Sequence, residues 1–186
     1  MWLLTGPLEQ PSKWEAPMFF DKVTTNQMTA YLQKFGWPKF RITEDTPGVS
    51  KIFTGWTDQK EVFQLAITVN RQQSIVMFVV PDIAHAKREE KSPKELADIL
   101  MALGFANFAT VLGRFAYDLR DGELRYECAH PVHANKLTYE QFEFILNSTV
   151  ATVQYWGPRL RNVCGGDRTG EEIVKSFLAH IEHFRG

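Results

Sequence analysis

LGRFAYDLRDGELRYECAHPVH, residues 112–133, alternates apolar and polar side chains on both sides of an Asp121-Gly122 pair. Asp-Gly is a strong signal for a two-residue type I′ turn, because both central residues of that turn need positive φ. We therefore predict a β-hairpin in which Asp121 and Gly122 alone form the loop. In that register Phe115 faces Cys128 across the two strands.

The predicted hairpin has one apolar face and one charged face. The apolar face carries Phe115, Tyr117, Leu119, Leu124, Tyr126 and Cys128. The charged face carries Ala116, Asp118, Arg120, Glu123, Arg125 and Glu127. A slip of one residue would turn the aromatic face to water, so the assignment of faces is well specified. Such a hairpin predicts an antiparallel sheet with one solvated side.

Composition limits the class of protein. The chain has 186 residues, 44% of them hydrophobic, which suits one globular domain. With 21 basic and 22 acidic residues the net charge is −1, so we expect no nucleic acid partner. The sequence lacks the apolar run of about 18 residues that a membrane span needs, and it lacks a basic signal-peptide region. The two cysteines form no spaced framework, which favours the cytoplasm.

The first half of the chain predicts an arm, a helix and three strands. Residues 1–23 are rich in Pro, Trp and Phe without periodicity, and they predict an arm laid over the domain. Residues 24–36 predict a helix that starts with a Thr24–Gln27 capping box and ends at Gly36. Three strands follow, at residues 51–57, 61–70 and 74–80, and Pro81 is expected to end the last one.

The second half predicts three more helices around the hairpin. Residues 92–105 predict a helix with an N-terminal capping box. A long helix starts with a Thr138–Gln141 capping box, and Gly157-Pro158 should kink or restart it. A last helix, capped by Thr169 and Glu172, occupies residues 169–185. The predicted order is α-β-β-β-α-β-β-α-α. We predict an α+β fold with helices on one face of an antiparallel sheet, formed by a single domain over residues 24–186.

Several short motifs follow one another in a set order. They are GFANF, the FAYD strand, the Asp-Gly turn, HPV, an LTYE helix start and a long aromatic helix. In this order the chain resembles the YbjN-like domain family, and in particular its uncharacterised cyanobacterial branch. The resemblance covers residues 24–164 and is strongest over 105–163. It implies a fold like that of type III secretion chaperones, and the last helix lies outside the family pattern.

The resemblance implies protein binding without catalysis. Secretion chaperones of this fold are dimers that hold an unfolded segment of a partner, and YbjN-like proteins have been described as regulators of sensory transduction. We therefore expect another protein or a peptide segment as partner, on the exposed sheet face or in a groove between the sheet and the helices. A homodimer is a further expectation, although the last helix could cap the surface that such dimers use. The family supplies no catalytic or cofactor-binding residues, so we predict neither an enzyme nor a cofactor.

One cluster offers an alternative function as a metal-binding protein or an enzyme. Cys128, His130 and His133 carry thiol and imidazole groups that bind zinc, and three ligands plus water would form a catalytic site. Cys128 and His130 could also form a nucleophile pair. The predicted register instead buries Cys128, where a free cysteine behaves as a small hydrophobic side chain. His180 and His183, spaced i, i+3 on the last helix, form a weaker candidate pair.

Basic and aromatic residues near the end of the long helix form a candidate interaction patch. The patch comprises Tyr155, Arg159, Arg161 and Arg168. It could bind an acidic peptide or a nucleic acid strand. The simpler interpretation places Trp156 in the core and the arginines in water. A third candidate function, a structural subunit of a larger assembly, would use the 13% of aromatic residues as interface.

Overall fold

The computed structural model describes residues 23–58, 61–132 and 137–183, with side chains through residue 179. Within them, six strands form one antiparallel sheet of order β1-β2-β3-β4-β6-β5. The strands are β1 (Arg41–Asp45), β2 (Val49–Asp58), β3 (Glu61–Asn70), β4 (Ile75–His85), β5 (Arg114–Tyr117) and β6 (Glu123–Pro131). The α-helices are α1 (Thr25–Phe35), α2 (Pro93–Ala109), α3 (Tyr139–Gly165) and α4 (Gly170–His183), with a short 3₁₀ helix at Arg88–Glu90. The predicted α+β class and the order of helices and strands are confirmed, and β1 is an additional strand at the sheet edge.

One face of the sheet forms the core. Along β3, Phe63, Leu65, Ile67 and Val69 are buried, while the residues between them are half-buried or exposed. This is the period-two alternation that the sequence predicts. Helix α3 contacts β4 and β6 on this face, α1 and α2 both contact α3, and α4 packs against α2.

The helix starts follow the predicted capping chemistry. Reciprocal side chain–backbone pairs join Ser92 with Glu95, Thr138 with Gln141 and Thr169 with Glu172. At α1 only half of the predicted box forms. The Thr24 hydroxyl accepts from the Gln27 amide, but the Gln27 side chain donates to the Leu137 carbonyl instead. Gln27 thereby joins the start of α1 to the start of α3. Gly36 ends α1 in the left-handed conformation, as predicted.

The hairpin forms, but its register differs from the predicted one by two residues. Phe115 pairs with Tyr126, not with Cys128. The Asp118 amide donates to the Glu123 carbonyl at 2.8 Å, so the loop comprises residues 119–122 and not Asp121-Gly122 alone. In this longer loop only Gly122 has positive φ. A shift of two keeps every strand residue on its predicted face, but it moves Leu119 into the exposed loop.

Helix α2 continues past the predicted end at residue 105. The reason is Asn107, which lies two residues past that predicted end. Its side-chain amide donates to the Phe115 carbonyl at 3.0 Å, and its side-chain oxygen accepts from the Phe115 amide at 2.7 Å. This pair of bonds joins the last turn of α2 to β5, so tertiary contacts extend the helix.

Two prolines interrupt their elements less than predicted. Strand β4 extends to His85, although its pairing with β6 is irregular between Val80 and Ala84. Pro81 lies in this irregularity, where its missing N–H breaks no regular bond of the ladder. Helix α3 continues through Pro158 to Gly165 without a restart.

Candidate functional site

An open groove with a volume of about 490 Å³ lies on the outer side of the helical layer. We call it the helix-side groove. Helix α3 lines it with Phe144, Ser148, Ala151, Thr152, Tyr155 and Trp156. The last residue of α2, Ala109, the following residues 110–112 and Phe177 of α4 complete it. All of these lining residues are uncharged. The groove therefore offers apolar surface and a few hydroxyl groups.

The groove exists because α3 has two unlike apolar faces. The inner face packs on the sheet and includes Phe142 and Leu146, both fully buried. On the outer face, Phe144 and Tyr155 are large, whereas Ser148 and Ala151 between them are small. Residues three and four apart share one side of a helix, so this pattern leaves a concave strip with bulky ends.

The wall formed by residues 109–112 is fixed from beneath. The Tyr126 hydroxyl, fully buried in the sheet, donates to the Leu112 carbonyl. Burial raises the pKa of Tyr126 to about 12, so the hydroxyl keeps its proton at neutral pH. The Thr110 hydroxyl donates to the Ala106 carbonyl at 2.7 Å. The wall is therefore anchored on both sides of Val111, whose side chain is exposed.

The rim of the groove exposes large apolar side chains. Of the lining residues, Val111 is 99% exposed and Phe144 62%, and Phe108, which precedes the lining residue Ala109, is 85% exposed. A cluster of exposed apolar side chains beside a groove is typical of a binding surface. The opposite wall is rigid, since Phe177 packs against Trp156 and Phe105 with ring centroids 5.3 Å apart in both pairs.

The structure brings together two of the four residues of the predicted interaction patch. The Arg159 guanidinium lies 3.8 Å from the centre of the Tyr155 ring, at one end of the groove. Arg161 points to the sheet instead, where it donates to the Ile83 carbonyl at 2.9 Å and pairs with Glu61. Arg168 lies beyond α3 and pairs with Glu172. The four side chains therefore do not form one surface.

The geometry gives little support to a metal site at Cys128, His130 and His133. Cys128 is buried opposite Phe78 of β4, and burial raises the pKa of its thiol. His130 is half-buried on the same strand, whereas His133 lies outside the described residues. Within the described part of the chain, no three His, Cys, Asp or Glu residues are grouped to hold a metal ion. The side chains of His180 and His183 also lie outside the described residues.

Neither a protein-family model nor a curated protein matches the sequence. The resemblance to the YbjN-like family therefore stays a prediction, as do the homodimer and the cytoplasmic location. Among the described helices, none combines the length and hydropathy needed to cross a membrane, in agreement with the prediction of no span.

Apart from Tyr155 of the predicted interaction patch, sequence reasoning missed the residues of the groove. Phe144 lies one position from Ile145 and two from Phe142, both members of the buried stripe, so its outward direction was readable from helical spacing. Val111 and Phe108 carry no such signal. Their exposure depends on how far α2 extends and how it packs against α3.

We expect both cysteines to resist thiol reagents in the folded protein. Cys128 and Cys164 are buried, and burial raises the pKa of Cys164 to about 11, so both remain neutral thiols at pH 8. An aromatic disulfide reagent should modify them at least about 100-fold more slowly in buffer than in denaturant. Rapid labelling of Cys128 in buffer would contradict this and revive the nucleophile alternative.

Proposed function

We propose that this protein is a non-enzymatic binding protein that accepts the apolar face of an amphipathic helix from another protein in the helix-side groove. The single observation that carries the proposal is the uncharged groove, whose lining includes the exposed side chains of Val111 and Phe144. When a partner buries such side chains, the complex is stabilised by about 25 cal/mol for each Å² of apolar surface removed from water. A chaperone-like or regulatory role, a cytoplasmic location and membership of the YbjN-like family are parts of the same proposal.

A helix fits this groove better than an extended peptide does. Helices line most of the groove, and their backbone groups are already bonded internally, so they offer no ladder to an added strand. A bound helix satisfies its own backbone and presents side chains at i, i+4 and i+7. The strip from Phe144 to Tyr155 is about 16 Å long at 1.5 Å per residue, which is three helical turns. Small Ser148 and Ala151 let the partner approach closely.

The charges around the groove predict how the partner is recognised. Because the lining residues are uncharged, affinity should come from apolar contact and change little with salt. Arg159 at one end can pair with an acidic residue of the partner helix. Such an exposed pair contributes roughly 0–1 kcal/mol, so it orients the partner more than it strengthens binding.

Phe144→Asp is expected to abolish binding of a helical partner. Peptides selected from a display library against the wild-type protein should be amphipathic helices, and they should bind the variant at least about 30-fold more weakly. The matched control is Leu119→Asp, because Leu119 is 64% exposed in the hairpin loop, an element that does not line the groove. The control should change affinity by less than about twofold. Titration calorimetry measures all three affinities.

Two results would contradict the proposed site. One is a set of selected peptides whose affinity is the same for Phe144→Asp, Leu119→Asp and the wild type. The other is a selection that yields no helical peptide at all. Thermal unfolding of each variant checks that Phe144→Asp remains folded, as expected for an exposed position.

A further inference from the structure

We propose that residues 1–8 of this chain dock in the helix-side groove and compete there with the partner helix. The described chain begins at Val23, which is buried and whose carbonyl accepts a hydrogen bond from Arg71 at 3.3 Å. Val23 therefore fixes, beside the start of α1, the point at which residues 1–22 join the domain. The competition rests on the proposed function, whereas the docking itself does not.

The chemistry of residues 1–8 matches that of the groove. They read MWLLTGPL and contain no charged side chain, and the groove lining is also uncharged. Trp2, Leu3 and Leu4 supply large apolar anchors. The open face of the sheet fits this segment less well, because Arg114 and Arg125 pair with Glu127 there.

The connection is long enough. The Gln27 side chain donates to the Leu137 carbonyl at 3.2 Å, so the start of α1 lies beside the start of α3. From Tyr139, where α3 begins, the groove extends from about 8 Å, at Phe144, to about 24 Å, at Tyr155, along the helix axis. Residues 9–22 span up to about 45 Å when extended. They carry charged residues and prolines together with Trp14, Phe19 and Phe20, so they can cross the domain surface on the way to the groove.

The tether makes weak docking effective. A segment joined by a short linker has an effective concentration in the millimolar range at its own site. An intrinsic dissociation constant of about 100 μM would then keep the groove about 90% occupied and weaken a partner about tenfold. The groove would therefore admit only partners whose affinity exceeds that of the tethered segment.

Tryptophan quenching in the full chain tests the docking. A bimane fluorophore attached to Val111→Cys is selective, since both native cysteines are buried. If Trp2 lies in the groove it quenches bimane by contact, and Trp2→Phe should raise the emission by about twofold or more. Phenylalanine keeps the segment apolar, so docking survives the change. The matched control, Trp14→Phe, should leave the emission unchanged.

Each other outcome overturns the inference. Equal emission from the parent and Trp2→Phe means that residues 1–8 do not dock. A rise with Trp14→Phe alone means that another part of the arm does. A bimane on Leu119→Cys must not respond to Trp2→Phe, since a response there would indicate an effect unrelated to the groove.

The test separates this inference from the proposed function because it contains no partner. If docking is present but selected helical peptides ignore Phe144→Asp, the proposed function fails alone. If docking is absent and the peptides bind as expected, the inference fails alone. If both hold, Trp2→Asp should tighten the binding of a selected peptide by about tenfold.

Discussion

Gly122→Ala is expected to lower the free energy of unfolding by about 2–5 kcal/mol, measured by urea denaturation. Gly122 has φ +78°, where an L side chain costs about 1–2 kcal/mol. Its new Cβ would also lie 2.6 Å from the Lys87 nitrogen and 2.7 Å from the Ala86 carbonyl carbon. The loop cannot simply move away, because the Gly122 carbonyl accepts from the Ala86 amide at 2.9 Å. Overlap with backbone should therefore add about 1–3 kcal/mol.

Gly166→Ala is the matched control for this prediction. Gly166 has φ +84°, but no other atom lies within 4 Å of a Cβ built there. The free energy of unfolding of Gly166→Ala should therefore fall only by the cost of the positive φ, about 1–2 kcal/mol. The difference between the two variants measures the contact between the hairpin tip and the segment after β4. Equal losses would contradict that contact.

The same hairpin shows what alternation in a sequence can and cannot predict. Apolar and charged residues alternate with period two, so the faces follow from the letters. A shift by two residues leaves the faces unchanged, so the alternation could not distinguish Phe115–Cys128 from Phe115–Tyr126 pairing. Only the turn could decide, and Asp-Gly fits both a two-residue loop and a longer loop with one positive φ at Gly122.

The ends of helices and strands could not be predicted where contacts with residues far along the chain determine them. The capping boxes at Ser92, Thr138 and Thr169 were readable because every group they use lies within four positions. The end of α2 depends on Asn107 bonding Phe115, a contact across the α2–β5 connection. The two faces of α3 show the same contrast. Its buried face follows from helical spacing within the sequence. The groove on its outer face depends on how α2 and α4 are arranged around α3, which the sequence does not indicate.

Arg71 illustrates a residue whose importance no local pattern indicates. It follows β3 in a polar turn, NRQQS, that reads as solvated. Its side chain is in fact only 13% exposed. It donates to the Thr46 carbonyl at 2.8 Å, to the Ser50 hydroxyl at 2.7 Å and to the Thr25 hydroxyl at 3.1 Å. With the bond to Val23, one guanidinium joins α1 to the β1–β2 turn.

Arg71→Met is therefore expected to destabilise the fold by about 2–4 kcal/mol in urea denaturation. Methionine retains the apolar stem but removes the charged donor from the buried Ser50 and Thr25 hydroxyls, and a hydrogen bond to a charged group contributes about 1.5–3 kcal/mol. The ion pair with Asp45 contributes little, because that side chain is 54% exposed and lies 3.7 Å away. Most of the loss should come from hydrogen bonds to the uncharged groups Thr46, Ser50 and Thr25.

Arg120→Met is the matched control, since Arg120 makes three hydrogen bonds to Asp118 but is 87% exposed. Arg120→Met should lower the free energy of unfolding by less than about 1 kcal/mol, and by still less at high salt, as for other exposed ion pairs. The loss from Arg71→Met should persist at high salt, because screening acts on charges and the acceptors of Arg71 are mostly neutral. If the two variants lost equal stability, or if salt removed the Arg71 effect, the exposed pair with Asp45 would be the main interaction. Arg71 would then contribute little to fixing Val23, the residue at which the described chain begins.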